Sequence, residues 1–394
     1  MARPDGRLAP RIMLVAGEAS GDVHGAALCR ALTAAAPGAR LFGMGGERMA
    51  AAGLDVLADI RDTAVVGFSE VVRRLPLLRR TFGRLVAALG SEHPQVVVLI
   101  DYPGFNLRLA RVARAAGVPV VYFIPPQVWA WRPGRLETIR RRVSLVLAVF
   151  PFERALYGLA GVPVEFVGHP VLDTLPAAPT RAVARRQLDL ADTELVIGVL
   201  PGSRAQEIER LLPVMREAAD RIARVRPQAR FVLGLAPSVS RAAVDRHLVG
   251  GPKVDVVEDR AHAVMRASDV LLVASGTATL EAGLLGTPMV VCYRLSAVSD
   301  RIASAVARVP WASLVNIVLG RQVVPELCRR RDATGERLAR EALRLLDTPG
   351  ELNAQRQAFR ELTAELGTPG VAARAARCVL DVANNGSAQA RAAS

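Results

Sequence analysis

The feature that most constrains this chain is a repeated alternation. Short runs of Val, Ile and Leu, bounded by Gly, Pro and charge, alternate with segments whose apolar residues recur at helical spacing. Runs that are apolar on both faces suit strands covered on both sides, and strands alternating with helices build parallel sheets. The strand candidates fall into two sets. The first is Ile12–Ala16, Arg40–Phe42, Val96–Ile100, Val118–Ile124, Leu145–Val149 and Val164–Val167. The second is Leu195–Leu200, Arg230–Leu235, Val254–Val257, Val270–Val273 and Met289–Cys292. Between them, the stretch after Gly168 carries Pro170, Pro176 and Pro179 and no strand pattern, so it reads as a linker. At 394 residues the chain exceeds one ordinary core. The expected organisation is an α/β domain over 1–168, a linker over 169–180 and a second α/β domain over 181–333. Helices over 334–383, broken at Pro349-Gly350, and a small-residue, disordered tail over 384–394 complete it.

Several classes of protein are excluded. No apolar run approaches the ~20 residues of a spanning helix. The stretch Ile12–Ala16 is too short for a signal sequence, so no export is implied. Cys29, Cys292, Cys328 and Cys378 are scattered, with no paired spacing, which fits a reducing cytosol better than disulfides or zinc. No His, Asp or Cys cluster has metal-ligand spacing, so neither metal nor cofactor is expected.

The formal charge is +14, concentrated in RRLPLLRR (73–80), RLETIRRR (135–142) and CRRRDATGER (328–337). Lys253 is the only lysine, so a preference for arginine explains the residue type but not the excess over acids. Such an excess attracts nucleic acid or an anionic membrane surface. With 4% aromatic residues and no nucleic-acid module, the lipid surface is favoured and nucleic acid is not expected. Segment Val71–Leu89 carries an apolar stripe beside Arg73, Arg74, Arg79, Arg80 and Arg84, with Pro76 as the expected start of its regular helix. It reads either as an interfacial helix or as a domain helix with its apolar face in the core.

In open α/β sheets ligands bind outside the carboxyl ends of the strands, and the unusual residues cluster there. The first turn, Gly17 to Gly25, is glycine-rich without being a dinucleotide fingerprint, and serves as a helix start or a binding loop. Strand Val96–Ile100 ends in Asp101-Tyr102-Pro103-Gly104-Phe105-Asn106. Its acid either projects toward a ligand or caps the next helix, a duty that Asn106 could share. Trp129 and Trp131 follow paired prolines and read as loop anchors or as a sugar or acyl platform. In the second domain Arg204 begins a helix after Pro201-Gly202-Ser203, an arrangement suited to diphosphate. Ser275-Gly276-Thr277 begins another, with Glu281 a turn further on, within reach of ribose hydroxyls. Each loop alone could be a simple cap; two in one domain favour a nucleotide diphosphate.

Read together, these loops resemble the lipid-A-disaccharide synthases. GEASGD (17–22), GMGGERM (43–49), DYPGFN (101–106), PPQVWAWR (125–132), PFE (151–153), VGHP (167–170), LPGSRAQEI (200–208), LVASGTATLEA (272–282) and SLVNIVLGR (313–321) occur in the family's order and spacing. The resemblance spans about Arg11 to Ala383. One departure is Pro126-Gln127, where some members carry a Ser-Pro or Pro-Ser pair.

The resemblance implies a GT-B-type fold, two Rossmann-like domains facing a cleft, with a helical C-terminal segment. It implies an inverting, metal-independent glycosyltransferase. The donor would be UDP-2,3-diacylglucosamine and the acceptor 2,3-diacylglucosamine 1-phosphate (lipid X), at the cytoplasmic face of the inner membrane. Asp101 would be the general base. Arg204, Ser275, Gly276, Thr277, Glu281 and Asn316 would hold UDP, and Glu18, Ser20, Asp22, Trp129 and Trp131 would form the acceptor or lipid loops. A homodimer is compatible with this reading. The rivals are a UDP-sugar 2-epimerase, a GT-B transferase for a polyprenyl-linked acceptor, and, from another class, a non-catalytic basic adaptor. The VWAWR and GEASGD pair argues against the first two, and acids with Arg204 at strand tips argue against the third.

Overall fold

The computed structural model describes residues 9–62, 68–131, 134–175, 178–295 and 309–392. They form two compact units, one running to Asp173 and resuming at Leu366, the other spanning Thr174–Glu365.

The first unit is built on a seven-stranded sheet. Its strands are β1 (Arg11–Ala16), β2 (Arg40–Gly45), β3 (Asp55–Asp59), β4 (Val96–Ile100), β5 (Val120–Phe123), β6 (Leu145–Ala148) and β7 (Val164–Phe166). They lie in the order β3-β2-β1-β4-β5-β6-β7, every neighbouring pair parallel. Every residue of β4 is buried, as a strand covered on both faces must be. On one face Met13, Val15, Val97 and Leu99 join a core with Leu85, Leu89, Leu109 and Tyr157, drawn from the flanking helices. On the other, helix Val371–Ala392 packs on helix Ala19–Ala35 and on β4 and β5.

The second unit repeats the plan with six parallel strands: β8 (Val196–Leu200), β9 (Arg230–Leu235), β10 (Val254–Glu258), β11 (Val270–Ala274), β12 (Met289–Cys292) and β13 (Glu326–Leu327). Their order is β10-β9-β8-β11-β12-β13. Its core joins Ile197, Val199 and Leu233 to Ile208, Leu212 and Met215 of helix Ala205–Val225 and to Leu338 and Leu345 of helix Gly335–Asp347.

Several elements differ from the sequence reading. Strand β3, sequence DVLAD, and the two-residue β13 are additional. Both are edge strands, too polar or too short to register as apolar runs. Helix Phe68–Glu92 does not begin at Pro76 but carries that proline inside it, forgoing one main-chain bond. Leu85, Ala88 and Leu89 lie in the sheet core, with Phe82 and Val86 packed against them. For that half the ordinary domain-helix reading holds, whereas Leu75 is 40% exposed beside exposed Arg79 and Arg80. The side chains of Val71, Val72, Arg73 and Arg74 lie outside the described residues. The C-terminal helices are not one appendage. Gly335–Asp347 and Pro349–Glu365 belong to the second unit, while Val371–Ala392 belongs to the first. That last helix runs through most of the stretch expected to be disordered, where alanines favour helix continuation. Among the described residues no helix is long and apolar enough to cross a membrane.

Candidate functional site

In each sheet the chain runs outward in one direction and then in the other. The switch falls between β1 and β4 in the first unit and between β8 and β11 in the second. Loops leaving the carboxyl ends of such adjacent strands open a crevice. The loops after β1 and β4 are GEASGD and DYPGFN; those after β8 and β11 are PGSR and SGT. The topology therefore gathers the motifs at the two places where an open α/β sheet binds ligands.

At the tip of β4 the backbone is strained. Asp101 and Tyr102 both take left-handed conformations, with φ of 46° and 49°, and beyond β5 the β-branched Ile124 does so at 57°. Conformations of this kind cost about 1–3 kcal/mol each and persist where the surroundings impose them. The surroundings here are specific. The Asn106 amide donates to the main-chain oxygens of Asp101 (2.7 Å) and Ile100 (3.2 Å), and the Tyr122 hydroxyl donates to Asp101 O at 2.7 Å. The helix that follows, Pro103–Ala115, has Tyr102 as its N-cap. Asp101 is thus not that N-cap, and Asn106 ties down carbonyls instead of sharing a capping duty. Asp101 lines a pocket of about 280 Å³ with Pro103, Ile124, Pro125, Pro126, Gln127, Val128 and Arg135.

The first turn meets this tip directly. A Cβ at Gly17 would run into the ring of Tyr102, so glycine is what allows the two loops to touch. Burial, and secondarily the charge of Glu18, raise the Tyr102 hydroxyl above its ordinary pKa. Glu18 and Ser20 are exposed at this turn. Asp22 is not: it is buried, and its carboxylate accepts from the amides of Gly46 (2.7 Å), Arg48 (3.1 Å) and Met49 (3.1 Å). It fastens the start of helix Glu47–Ala51, so its place in the GEASGD motif is explained by holding GMGGERM.

The loop carrying Pro125 to Trp131 is fastened from one side. The Trp129 indole N–H donates to Glu153 Oε1 at 3.2 Å, and the Tyr157 hydroxyl donates to Pro126 O at 3.0 Å, both from helix Pro151–Leu159. Trp129 also meets Phe150 and Phe152 edge-on, with ring centroids 6.4 and 5.3 Å apart. This is the loop-anchor reading of Trp129; the Trp131 side chain lies outside the described residues. Glu153 additionally accepts from the amides of Val149 and Phe150, each at 3.2 Å. Burial pushes its carboxyl up to about 7, against those hydrogen bonds. Glu153 was visible in sequence only as part of the PFE motif; an acid four residues after the expected strand end at Val149 gives no sign of being buried.

In the second unit Gly202 turns the chain at φ 112°, with Glu207 packed where its Cβ would be. Glu207 accepts from the amides of Ser203 (2.9 Å) and Arg204 (3.2 Å) and from the Arg204 guanidinium (3.2 Å). Those two amides are therefore occupied, not open, and the guanidinium, 67% exposed, is the loop's outward charge. Ser275 Oγ donates to Ala312 O at 2.8 Å, joining the turn before helix Thr277–Leu284 to the SLVN segment. Around Gly276 a Cβ would meet no described atom within 4 Å, so the described residues leave space at the start of that helix. Glu281 lies 3.4 Å from His262 Nε2, a pairing that raises the imidazole pKa.

Asn316 is fully buried and fully used. Its amide donates to Val324 O (3.0 Å) and Glu326 Oε1 (2.6 Å) and accepts from the amides of Val323 (2.7 Å) and Val324 (3.0 Å). Glu326 in turn accepts from Ala312 N (2.8 Å) and Ser313 N (2.9 Å). Asn316 thus shapes the segment that meets Ser275. Among the described residues no three His, Cys, Asp or Glu side chains gather as metal ligands would.

The architecture recurs in solved proteins. It is similar to UDP-GlcNAc 2-epimerase from Neisseria meningitidis at TM-score 0.63 and 13% identity, covering 94% of this chain and 98% of that one. It is also similar to the glycosyltransferase of kitacinnamycin at TM-score 0.57 and 18% identity, covering 95% and 100%. Two parallel α/β sheets with their motifs at the switch points make this a GT-B-type protein. The particular family follows from sequence. Residues 12–379 match the family model for lipid-A-disaccharide synthetase. The lipid-A-disaccharide synthase of Myxococcus xanthus is 43% identical over 95% of this chain and 97% of its own, and that of Geobacter sulfurreducens 43% over 94% and 97%. The chain belongs to the lipid-A-disaccharide synthase family, glycosyltransferases of lipid A biosynthesis.

Proposed function

We propose that the protein transfers a 2,3-diacylglucosaminyl group from UDP-2,3-diacylglucosamine to the 6-hydroxyl of 2,3-diacylglucosamine 1-phosphate. The products are a β-1,6-linked tetraacyl disaccharide 1-phosphate and UDP. The observation that carries this reading is Asp101, held at a strained strand tip on the wall of a pocket, in a chain of this family. Its carboxylate takes the proton of the acceptor hydroxyl as that oxygen attacks the anomeric carbon from the face opposite UDP, which inverts the configuration. General-base help of this kind is worth about 10²–10⁴-fold. In the second unit the Arg204 guanidinium and the open start of helix Thr277–Leu284 offset the charge growing on the departing diphosphate. Ser275 and Thr277 lie at that helix start, and Glu281 reaches toward the ribose. A UDP-sugar donor agrees with the solved Neisseria protein, described as bound to UDP-GlcNAc. Both substrates carry acyl chains, so the protein works from the membrane surface, on the cytoplasmic side where UDP-sugars are made.

The test is incubation of the full-length protein with donor and acceptor in excess EDTA. A β-1,6-linked disaccharide 1-phosphate and stoichiometric UDP are expected. An α-linked product, a requirement for added Mg²⁺ or Mn²⁺, or conversion of the UDP-sugar without the acceptor, as a 2-epimerase would give, overturns the reading.

A further inference from the structure

Among the described residues lining the Asp101 pocket there is a single cation, Arg135. We propose that Arg135 is the residue that recognises the phosphate of the acceptor sugar and so makes the enzyme specific for a phosphorylated acceptor. This rests on the reading of the Asp101 pocket as the acceptor's.

Arg135 stands apart within its own basic segment. Along helix Arg135–Arg142, Glu137 pairs with Arg140 (2.7 Å) and Arg141 (2.5 Å), and Arg142 donates to Leu107 O (2.9 Å). Those three arginines are spent on the surface and on packing. Arg135 forms no ion pair with any described carboxylate, is only partly exposed, and faces the pocket instead. It also occupies the first position of its helix, the end where the backbone dipole is positive and a cation is unfavourable. Helix stability therefore gives no reason for its placement; an incoming anion does.

Its neighbourhood is that of the reacting group. The Arg135 charge acts on the Tyr122 hydroxyl, which in turn donates to the main-chain oxygen of Asp101. Acid and cation thus share one small pocket, as a sugar bearing a nucleophilic hydroxyl at one end and a phosphate at the other requires. The planar guanidinium fork suits two phosphate oxygens, and partial burial strengthens the pairing. At about 280 Å³ the pocket is small beside the ~300–1,000 Å³ typical of ligand sites, so it accommodates the sugar phosphate and leaves the acyl chains outside.

The experiment compares two acceptors in the same detergent, 2,3-diacylglucosamine 1-phosphate and its dephosphorylated analogue, with the full-length enzyme. Wild-type kcat/KM should favour the phosphorylated acceptor by about ten- to a hundredfold, the range for one charge-assisted contact. In Arg135→Gln that ratio should collapse to near one while turnover of the analogue stays near wild type; Arg135→Lys should recover part of the preference. An unchanged ratio in Arg135→Gln, or an equal loss on both acceptors in both variants, overturns the assignment. Wild-type enzyme making no disaccharide from either acceptor overturns the reading of the pocket itself.

Discussion

The indole N–H of Trp129 and the carboxyl of Glu153 form a 3.2 Å hydrogen bond that fastens the loop lining the Asp101 pocket to the helix behind it. The bond favours the ionised carboxylate, but burial outweighs it and raises the Glu153 carboxyl to about 7. A carboxyl raised on folding contributes stability that is fully present below its unfolded pKa and lost as the pH climbs through the folded value. This group should therefore make the protein roughly 3 kcal/mol less stable at pH 8 than at pH 4. Glu153→Gln should flatten that slope, measured by denaturant unfolding across the pH range. An unchanged slope would show that Glu153 is not its source.

Asp101→Asn should lower kcat by about 10²–10⁴-fold, with donor affinity kept, as checked by steady-state kinetics and UDP titration. The substitution isolates the proton transfer. Asparagine tolerates the left-handed backbone at this position, and the N-cap of the next helix belongs to Tyr102. A variant that retains more than about a tenth of wild-type kcat would place the base elsewhere.

Asn316→Ala should cost about 2–4 kcal/mol of stability in the second unit, because the amides of Val323 and Val324 and the Val324 carbonyl lose their side-chain partner, and Glu326 Oε1 keeps only the Ser313 amide. Asn316→Asp should be worse, setting a second carboxylate against Glu326. Loss of UDP affinity with unfolding unchanged would instead mean that the amide touches the nucleotide.

Replacing Arg73, Arg74, Arg79 and Arg80 with Gln should weaken sedimentation with anionic liposomes, each charge contributing about 1 kcal/mol near such a surface. Turnover on detergent-dispersed substrate should hardly change. Arg79 and Arg80 are exposed beside Leu75, whose own exposure leaves an apolar side chain available to the interface. Equal sedimentation of the two proteins would move the search to the cluster at 135–142.

What was legible in the sequence was set by local rules. Strands such as Val96–Ile100 announce themselves because burial on both faces demands uninterrupted Val, Ile and Leu. The motif loops announce themselves because strand ends are where small and polar residues gather. The same logic fails for polar residues inside a motif, since type alone does not tell a ligand contact from a satisfied core group. Asp22 and Asn316 both read as contacts; Asp22 is held by main-chain amides, and Asn316 by main-chain groups and the Glu326 carboxylate. Glu153 shows the converse: a surface-like acid in sequence proves to be buried, its carboxyl held by the Trp129 indole and by the amides of Val149 and Phe150. Nor could the helical spacing of Val371–Ala392 say which sheet it would cover.

That last helix sets the order in which the protein can be made. Its buried Val371, Ala375, Ala376 and Val379 close the face of the first sheet around β4 and β5, yet the ribosome delivers them after the whole second unit. The later-encoded unit is thus the first that can fold to completion. The earlier one must wait with an apolar face uncovered, the period in which a nascent chain of this kind most needs a chaperone.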